Sequence, residues 1–333
     1  MKILSLTQFK KQFDVGYHAI MRVYKDEFFT DNLEQAGTEI MPYMLDGKRI
    51  RPYIIACMAP EGDNAMHAGY AIELFHAMAL IHDDIIDESA LRRKSQTPHH
   101  VLKKYTHENM HIGESLSLLW GDYIYAQSMH YVSLLPEHAR AYFLEMYNQT
   151  VIGQVHDVMN SITALEKIPH DDVQRVHDAK TGYYTFVYPL LIGNALQNAD
   201  KRVDTDLLMR LGLSLGRLFQ MRDDIIDMLP TSNKEQWKDI REGTASWVVM
   251  WLRDTHPEIY TEIESLHAEA IFDEEKFNSI THQLETLPWQ EIFTAHTKEH
   301  SNTILEIIES TSAFTKDQQA QLRGLHDRFL TLV

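Results

Sequence analysis

Residues 68–87 read Ala68-Gly69-Tyr70-Ala71-Ile72-Glu73-Leu74-Phe75-His76-Ala77-Met78-Ala79-Leu80-Ile81-His82-Asp83-Asp84-Ile85-Ile86-Asp87, a proline-free apolar run that ends in three aspartates. Its Leu, Ile, Met and Ala carry helical rather than alternating periodicity. On a helix, residues four apart share a face, so Asp83 and Asp87 project together and Asp84 lies about 100° round the axis. The same pentapeptide returns as Asp223-Asp224-Ile225-Ile226-Asp227, behind Leu218-Phe219. Carboxylates at the end of an apolar helix are costly to desolvate unless a cation neutralises them. Magnesium is the natural candidate, a hard cation held by a few carboxylates with water and a phosphate completing its shell. One copy alone reads equally well as a solvated acidic turn; two identical copies on apolar helices do not.

Outward from these motifs the chain keeps the same character. Glu114–Leu134, Arg140–Asn160 and Thr205–Leu229 are long, apolar and free of internal proline. Breakers gather at Pro60-Glu61-Gly62-Asp63-Asn64, Thr97-Pro98, Pro136, Pro169 and Pro230-Thr231-Ser232-Asn233, spaced as short helix–helix connections. The expectation is an all-α chain: one helical bundle domain over 1–333, with a core at about 40–250 and a more polar peripheral helical layer at about 255–333.

The formal net charge of −17 argues against nucleic acid and against a basic membrane-binding face. Cys57 is the one cysteine and sits in the apolar run Tyr53-Ile54-Ile55-Ala56-Cys57-Met58, which reads as core and is compatible with a reducing cytosol. The first residues lack a secretory apolar region, and no run approaches the ~18 apolar residues needed to span a bilayer. The expectation is a cytoplasmic protein with no stable membrane insertion.

A diphosphate site needs Arg forks and Lys charges beside its metal. Three basic clusters stand out in this acidic chain: Asp46-Gly47-Lys48-Arg49-Ile50-Arg51-Pro52, Arg92-Arg93-Lys94 just after the first aspartates, and Lys180-Thr181-Gly182, read as opening an apolar helix.

Together these residues resemble the trans-isoprenyl (polyprenyl) diphosphate synthases, geranylgeranyl and farnesyl diphosphate synthases among them, over 40–250. The motifs stand in order: Gly47-Lys48-Arg49-Ile50-Arg51-Pro52; Asp83 to Asp87 with Arg92-Arg93; Gly121-Asp122-Tyr123; Gly153-Gln154 with Asp157; Lys180-Thr181-Gly182; and Phe219-Gln220 before the second aspartates. The resemblance implies an all-α isoprenoid-synthase fold around a central cavity, usually a homodimer. It implies condensation of isopentenyl diphosphate with an allylic diphosphate, using two or three Mg²⁺ per site. Asp83, Asp87 and Asp223 would ligate the metal, supported by Asp84, Asp224 and Asp227, with Asp227 counted among the metal positions. Arg92 and Lys180 would hold the allylic diphosphate. Gly47, Lys48, Arg51, His76 and Arg93 would hold isopentenyl diphosphate, and Thr181 and Gln220 would line the reacting centre.

The chain departs from the family where relatives carry Gly-Lys-Pro and then Asp-x-x-x-Gly-Lys. Here Asn233-Lys234-Glu235-Gln236-Trp237-Lys238-Asp239 is shorter and Gly243 is followed by Thr244, so Lys238 is the first candidate to replace the missing phosphate ligand and Lys234 the second. His107-Glu108-Asn109-Met110-His111 matches a zinc-protease pattern, but its polar setting and its place between two helices read as a solvated connection. Product length in this family follows the residues below the first aspartates: Ala79 leaves room, Met78 obstructs in part, and Phe75 one turn further down reads as a floor, giving a C20 expectation with C25 to C35 as the alternative. The alternative for Met78 and Phe75 is plain packing between helices. A class I terpene cyclase shares the fold but usually has an Asn/Asp-Ser/Thr-Glu second motif and lacks the basic 47–52 segment. A non-catalytic regulatory subunit tends to lose the aspartates, which are intact here.

Overall fold

The computed structural model describes residues 4–59, 62–92, 95–229, 236–268, 271–310 and 313–332. The chain is all-α. Its helices are α1 (Leu6–Phe28), α2 (Glu34–Leu45), α3 (Ile50–Met58), α4 (Asp63–Ile86), α5 (Pro98–Tyr105), α6 (Met110–Ser133), α7 (Glu137–Ser161) and α8 (His170–His177). A π-helical segment (Asp178–Val187) follows directly, then α9 (Tyr188–Ala195), α10 (Thr205–Asp227), α11 (Lys238–Glu242), α12 (Trp247–Thr255) and α13 (Pro257–Ala268). α14 (Glu274–Glu285), α15 (Trp289–Ser310) and α16 (Lys316–Phe329) complete the chain, and a short antiparallel pair joins Leu91–Arg92 to Ser95–Gln96. The expected long helices are all present, within a few residues of their sequence-read ends. Lys180-Thr181-Gly182 differs: it lies inside the π-helical segment of a continuous helical run rather than opening a helix.

Backbone contacts gather the chain into two compact units, one of 1–141 and 192–202, the other of 142–191 and 203–333. In the first unit, α4 is the central helix. Ala68, Ala71, Ile72, Leu74, Phe75, Ala77, Met78 and Ile81 are all buried, so its burial runs nearly all round the axis, as expected of a helix enclosed by neighbours. α3 and α6 pack along it. Gly121 lets α6 come close: a Cβ there would lie 2.4 Å from Nε2 of His82. α1 and α6 share a cluster in which Trp120 stacks on Tyr123 (5.7 Å) beside Phe28 and Phe29.

In the second unit α10 holds the centre, with the π-helical segment and α15 packed against it. Phe186, Phe219 and Phe329 meet edge to face or tilted at 5.2–5.7 Å between centroids, tying the π-helical segment, α10 and α16 together. Ile304, Ile307, Ile308, Leu322 and Leu325 of the C-terminal helices are buried. Among the described residues no helix is long and apolar enough to cross a membrane.

Candidate active site

In the first unit, α4 ends at its aspartates because Asp87 caps it, its N–H bonding to the Asp83 carbonyl, and Glu88 turns into the left-handed region (φ 51°). The three carboxylates part company there. Asp87 is exposed and Asp83 half-exposed, while Asp84 is buried. Asp84 Oδ2 accepts from the Tyr43 hydroxyl at 2.6 Å, and its Oδ1 from Arg92 Nε at 2.8 Å. Arg92 Nη2 also donates to Asp83 Oδ2 at 2.9 Å. One guanidinium therefore spans two adjacent carboxylates. Burial pushes the Asp84 carboxyl above its ordinary range, with Arg92 and Tyr43 opposing the shift. Burial opposes the Arg92 charge, but Asp84 and Asp83 together raise its pKa above the usual value. Tyr43, raised first by burial and then by Asp84, stays a hydroxyl donor.

The basic segment before α3 sorts its cations in the same way. Arg49 adopts φ 55° and turns inward, donating to Asp14 Oδ1 (2.7 Å) and Glu73 Oε2 (2.8 Å) and lying 4.5 Å over the Tyr17 ring. Gly47 makes room for it, since a Cβ there would lie 2.4 Å from Arg49 Nη1. Lys48 stays exposed and Arg51 is half-exposed with its Nε buried. His76 is half-buried on α4, next to Ala79 one turn on, which is also half-buried. Phe75 and Met78 are buried, and the Phe75 ring meets Tyr125 of α6 at 6.3 Å. Arg93 and Lys94 lie outside the described residues, as does Lys234.

The Gly121-Asp122 pair is explained by His82, whose ring fills the space over Gly121 and whose Nε2 lies 3.8 Å from Asp122 Oδ1. The His-Glu-x-x-His pattern has no helical face. His107 and Glu108 both take positive φ (54° and 59°), and Asn109 caps α6, so His107 stands outside the helix that carries His111.

In the second unit a hydrogen-bonded string runs from the π-helical segment to the second aspartates. Thr181 Oγ1 donates to Gln220 Oε1 (2.9 Å), and Gln220 Nε2 donates to Asp224 Oδ1 (2.7 Å). The N–H of Trp247, at the start of α12, donates to Asp224 Oδ2 (2.9 Å). This fixes the Gln220 amide and leaves Asp224 buried. Lys180 Nζ pairs with Asp157 Oδ2 at 2.6 Å. Gly153 lets α7 approach, since its Cβ would lie 2.7 Å from that of Ala179. Asp227 is also buried and accepts from the Asp239 N–H at 3.4 Å, whereas Asp223 is half-exposed. Lys238 is exposed at the start of α11, 3.6 Å from Glu242.

Among the described residues, no three His, Cys, Asp or Glu side chains stand together as a formed metal cluster. The donor set nonetheless fits Mg²⁺. Asp83, Asp87 and Asp223 offer hard carboxylate oxygens at accessible positions, and Mg²⁺ keeps several waters and needs only one or two carboxylates. Asp84, Asp224 and Asp227 are held by the fold. These aspartates are legible in the sequence, whereas Tyr43, Glu73, Trp247 and the buried role of Arg49 are not. A lone Glu inside the apolar stretch of α4 was the one available signal for the Arg49 pair.

The chain is 29% identical over 242 residues to nonaprenyl diphosphate synthase of Mycobacterium tuberculosis, covering 70% of this chain and 66% of that one. It is 28% identical over 214 residues to the chloroplastic geranylgeranyl pyrophosphate synthase of Capsicum annuum, covering 59% of this chain and 54% of that one. The matches thus span a little under two thirds of the first relative and about half of the second. The crystal structure of geranylgeranyl pyrophosphate synthase from Corynebacterium glutamicum, complexed with isoprenyl diphosphate and magnesium, superposes with a TM-score of 0.82 at 22% identity, over 99% of this chain and 100% of that one, and shows the same fold. Residues 34–284 match the polyprenyl synthetase family model, a span that includes both Asp-Asp-Ile-Ile-Asp motifs and all three basic clusters, and the chain belongs to that family.

Proposed function

We propose that the protein is a trans-prenyltransferase, condensing isopentenyl diphosphate head to tail with an allylic diphosphate in a Mg²⁺-dependent reaction. The observation that carries this reading is the sorting of each aspartate triplet, with Asp83, Asp87 and Asp223 accessible and Asp84 and Asp224 tied into hydrogen-bonded supports. In this proposal 1–333 acts as one prenyltransferase domain. Mg²⁺, two or three ions per site, would supply charge neutralisation on the departing pyrophosphate.

The chain's own groups do the rest. Arg92 and Lys180 bind the allylic diphosphate and stabilise negative charge as its C–O bond breaks. Lys48, Arg51, His76 and Arg93 bind isopentenyl diphosphate, whose double bond attacks the allylic cation. Thr181 and Gln220 present fixed oxygen dipoles towards that cation, and the released pyrophosphate takes the proton. Lys238 supplies the cation that relatives carry further on. Ala79 opens the product channel, with Met78 and Phe75 below it, which favours a C20 product.

We assign a homodimer, supported by the exposed Ile112, Leu118 and Leu119 on α6 (40%, 43% and 56%), and action in the cytoplasm, with which a single cysteine is compatible. The test is paired. Asp83→Ala and Asp223→Ala should each lower Mg²⁺-dependent elongation by about a hundredfold or more. Inorganic pyrophosphate with Mg²⁺ should raise the thermal midpoint of the native protein but not of either variant. Variants that elongate and bind pyrophosphate like the native protein would refute the assignment.

A further inference from the structure

The π-helical segment Asp178–Val187 carries Lys180 and Thr181, and nothing in its own sequence explains how a ten-residue π-helix keeps its register. Runs of this type are rare because each i→i+5 turn accommodates an extra residue, and they concentrate at functional sites. Its support comes from α10. A Cβ on Gly216 would lie 2.5 Å from the Gly182 Cα, and one on Gly212 would lie 2.6 Å from Val187. The two backbones therefore touch at two points, one α-helical turn apart on α10 and one π-turn apart on the segment. Such a seam gives close approach but little register, because a glycine surface carries no knobs to resist sliding. What can fix the register is charge. Arg217, beside Gly216, donates from Nη2 to Asp178 Oδ2 (2.9 Å) and from Nε to Asp178 Oδ1 (3.2 Å), and Gln174 Nε2 donates to the same Oδ1 (2.8 Å). Asp178 is the first residue of the π-helical segment, and Gln220, one turn along α10 from Arg217, receives the Thr181 hydroxyl.

We propose that the Asp178–Arg217 ion pair is a positioning device for the reaction: a two-point clamp that holds the π-helical segment in the one register that sets Thr181 against Gln220 and Lys180 against Asp157. Neither Asp178 nor Arg217 touches substrate in this account; both act through Thr181 and Lys180. The proposal rests on the function proposed above.

The experiment compares native enzyme with Arg217→Ala, Asp178→Ala, the double variant and Arg217→Lys. Steady-state kinetics are followed by the elongation assay, and amide hydrogen exchange over 178–187 by mass spectrometry. The clamp predicts that Arg217→Ala lowers kcat by about 10- to 100-fold, the scale of a misplacement near 1 Å. The KM for isopentenyl diphosphate should stay within about twofold, because the lost interaction is felt in the transition state. The double variant should cost no more than either single one. Arg217→Lys should recover part of kcat, since it keeps the charge but loses the fork. Exchange over 178–187 should rise in Arg217→Ala. A lower melting temperature with unchanged kcat, additive single effects, or native exchange over 178–187 would each overturn the clamp. Absence of turnover by the native enzyme would instead remove the function, while the exchange comparison still decides whether the pair holds the segment.

Discussion

Replacing Tyr43 by Phe removes one oxygen and leaves the ring in place, which isolates the bond to Asp84. That bond is short, 2.6 Å, and the Asp84 side chain is 1% exposed, so water cannot replace the lost donor. A hydrogen bond to a charged group contributes about 1.5–3 kcal/mol. The expected loss of stability is therefore about 2 kcal/mol at neutral pH, or a melting temperature lower by roughly 3 °C for a chain of this size. The deficit should shrink as pH falls, because the hydroxyl bond favours the carboxylate and matters only while Asp84 is ionised. Arg92 would then meet a carboxylate with one support fewer, and turnover should fall about tenfold or more with the displaced guanidinium. Thermal unfolding at neutral and acid pH, alongside elongation kinetics, measures both. A Tyr43→Phe variant that keeps native melting temperature and native turnover at neutral pH would refute the view that Tyr43 holds the first aspartate motif.

Gly216→Ala forces a Cβ to within 2.5 Å of the Gly182 Cα, so the segment must shift; it should cost about 1–3 kcal/mol in denaturant unfolding and reduce kcat. His99 is 2% exposed, and burial, reinforced by His100, lowers its pKa to about 4. Because the unfolded chain takes up that proton near pH 6.5 and the folded one does not, stability should fall as pH drops from about 6.5 to about 4, and His99→Leu should flatten that slope in urea titrations at several pH values. Met78→Ala should lengthen the principal product, read by chromatography of the dephosphorylated prenols. Phe75→Ala should do the same at a stability cost of about 3–5 kcal/mol, since that ring is fully buried, and an unchanged product distribution in both would remove the floor assignment.

The parts of this fold written in local pattern could be read from the sequence. Ala68–Asp87 and Thr205–Leu229 carry a helical period over many turns, and both fold as helices with their aspartates at the C-terminal end. The inward turn of Asp84 follows from its place about 100° from Asp83. Its partner Tyr43 lies in another helix, and no local period points to it. The cations in Gly47-Lys48-Arg49-Ile50-Arg51-Pro52 could be counted but not sorted, because one left-handed residue, Arg49, redirects the chain and sends its own side chain to Glu73. The π-helical segment is not legible either, because ten residues are too few for an apolar pattern to separate an i→i+5 turn from an i→i+4 turn. The pairing of Asp178 with Arg217 joins positions 39 apart in sequence, and only tertiary packing brings them together.

The most direct test of the account is to incubate the purified protein with isopentenyl diphosphate and each of three allylic primers, with Mg²⁺ or with chelator, and to measure the chain length of every product. Elongation should need both Mg²⁺ and an allylic primer, with a C20 diphosphate as the longest abundant product. Hydrocarbon products formed without consumption of isopentenyl diphosphate, or no turnover under any condition, would contradict it.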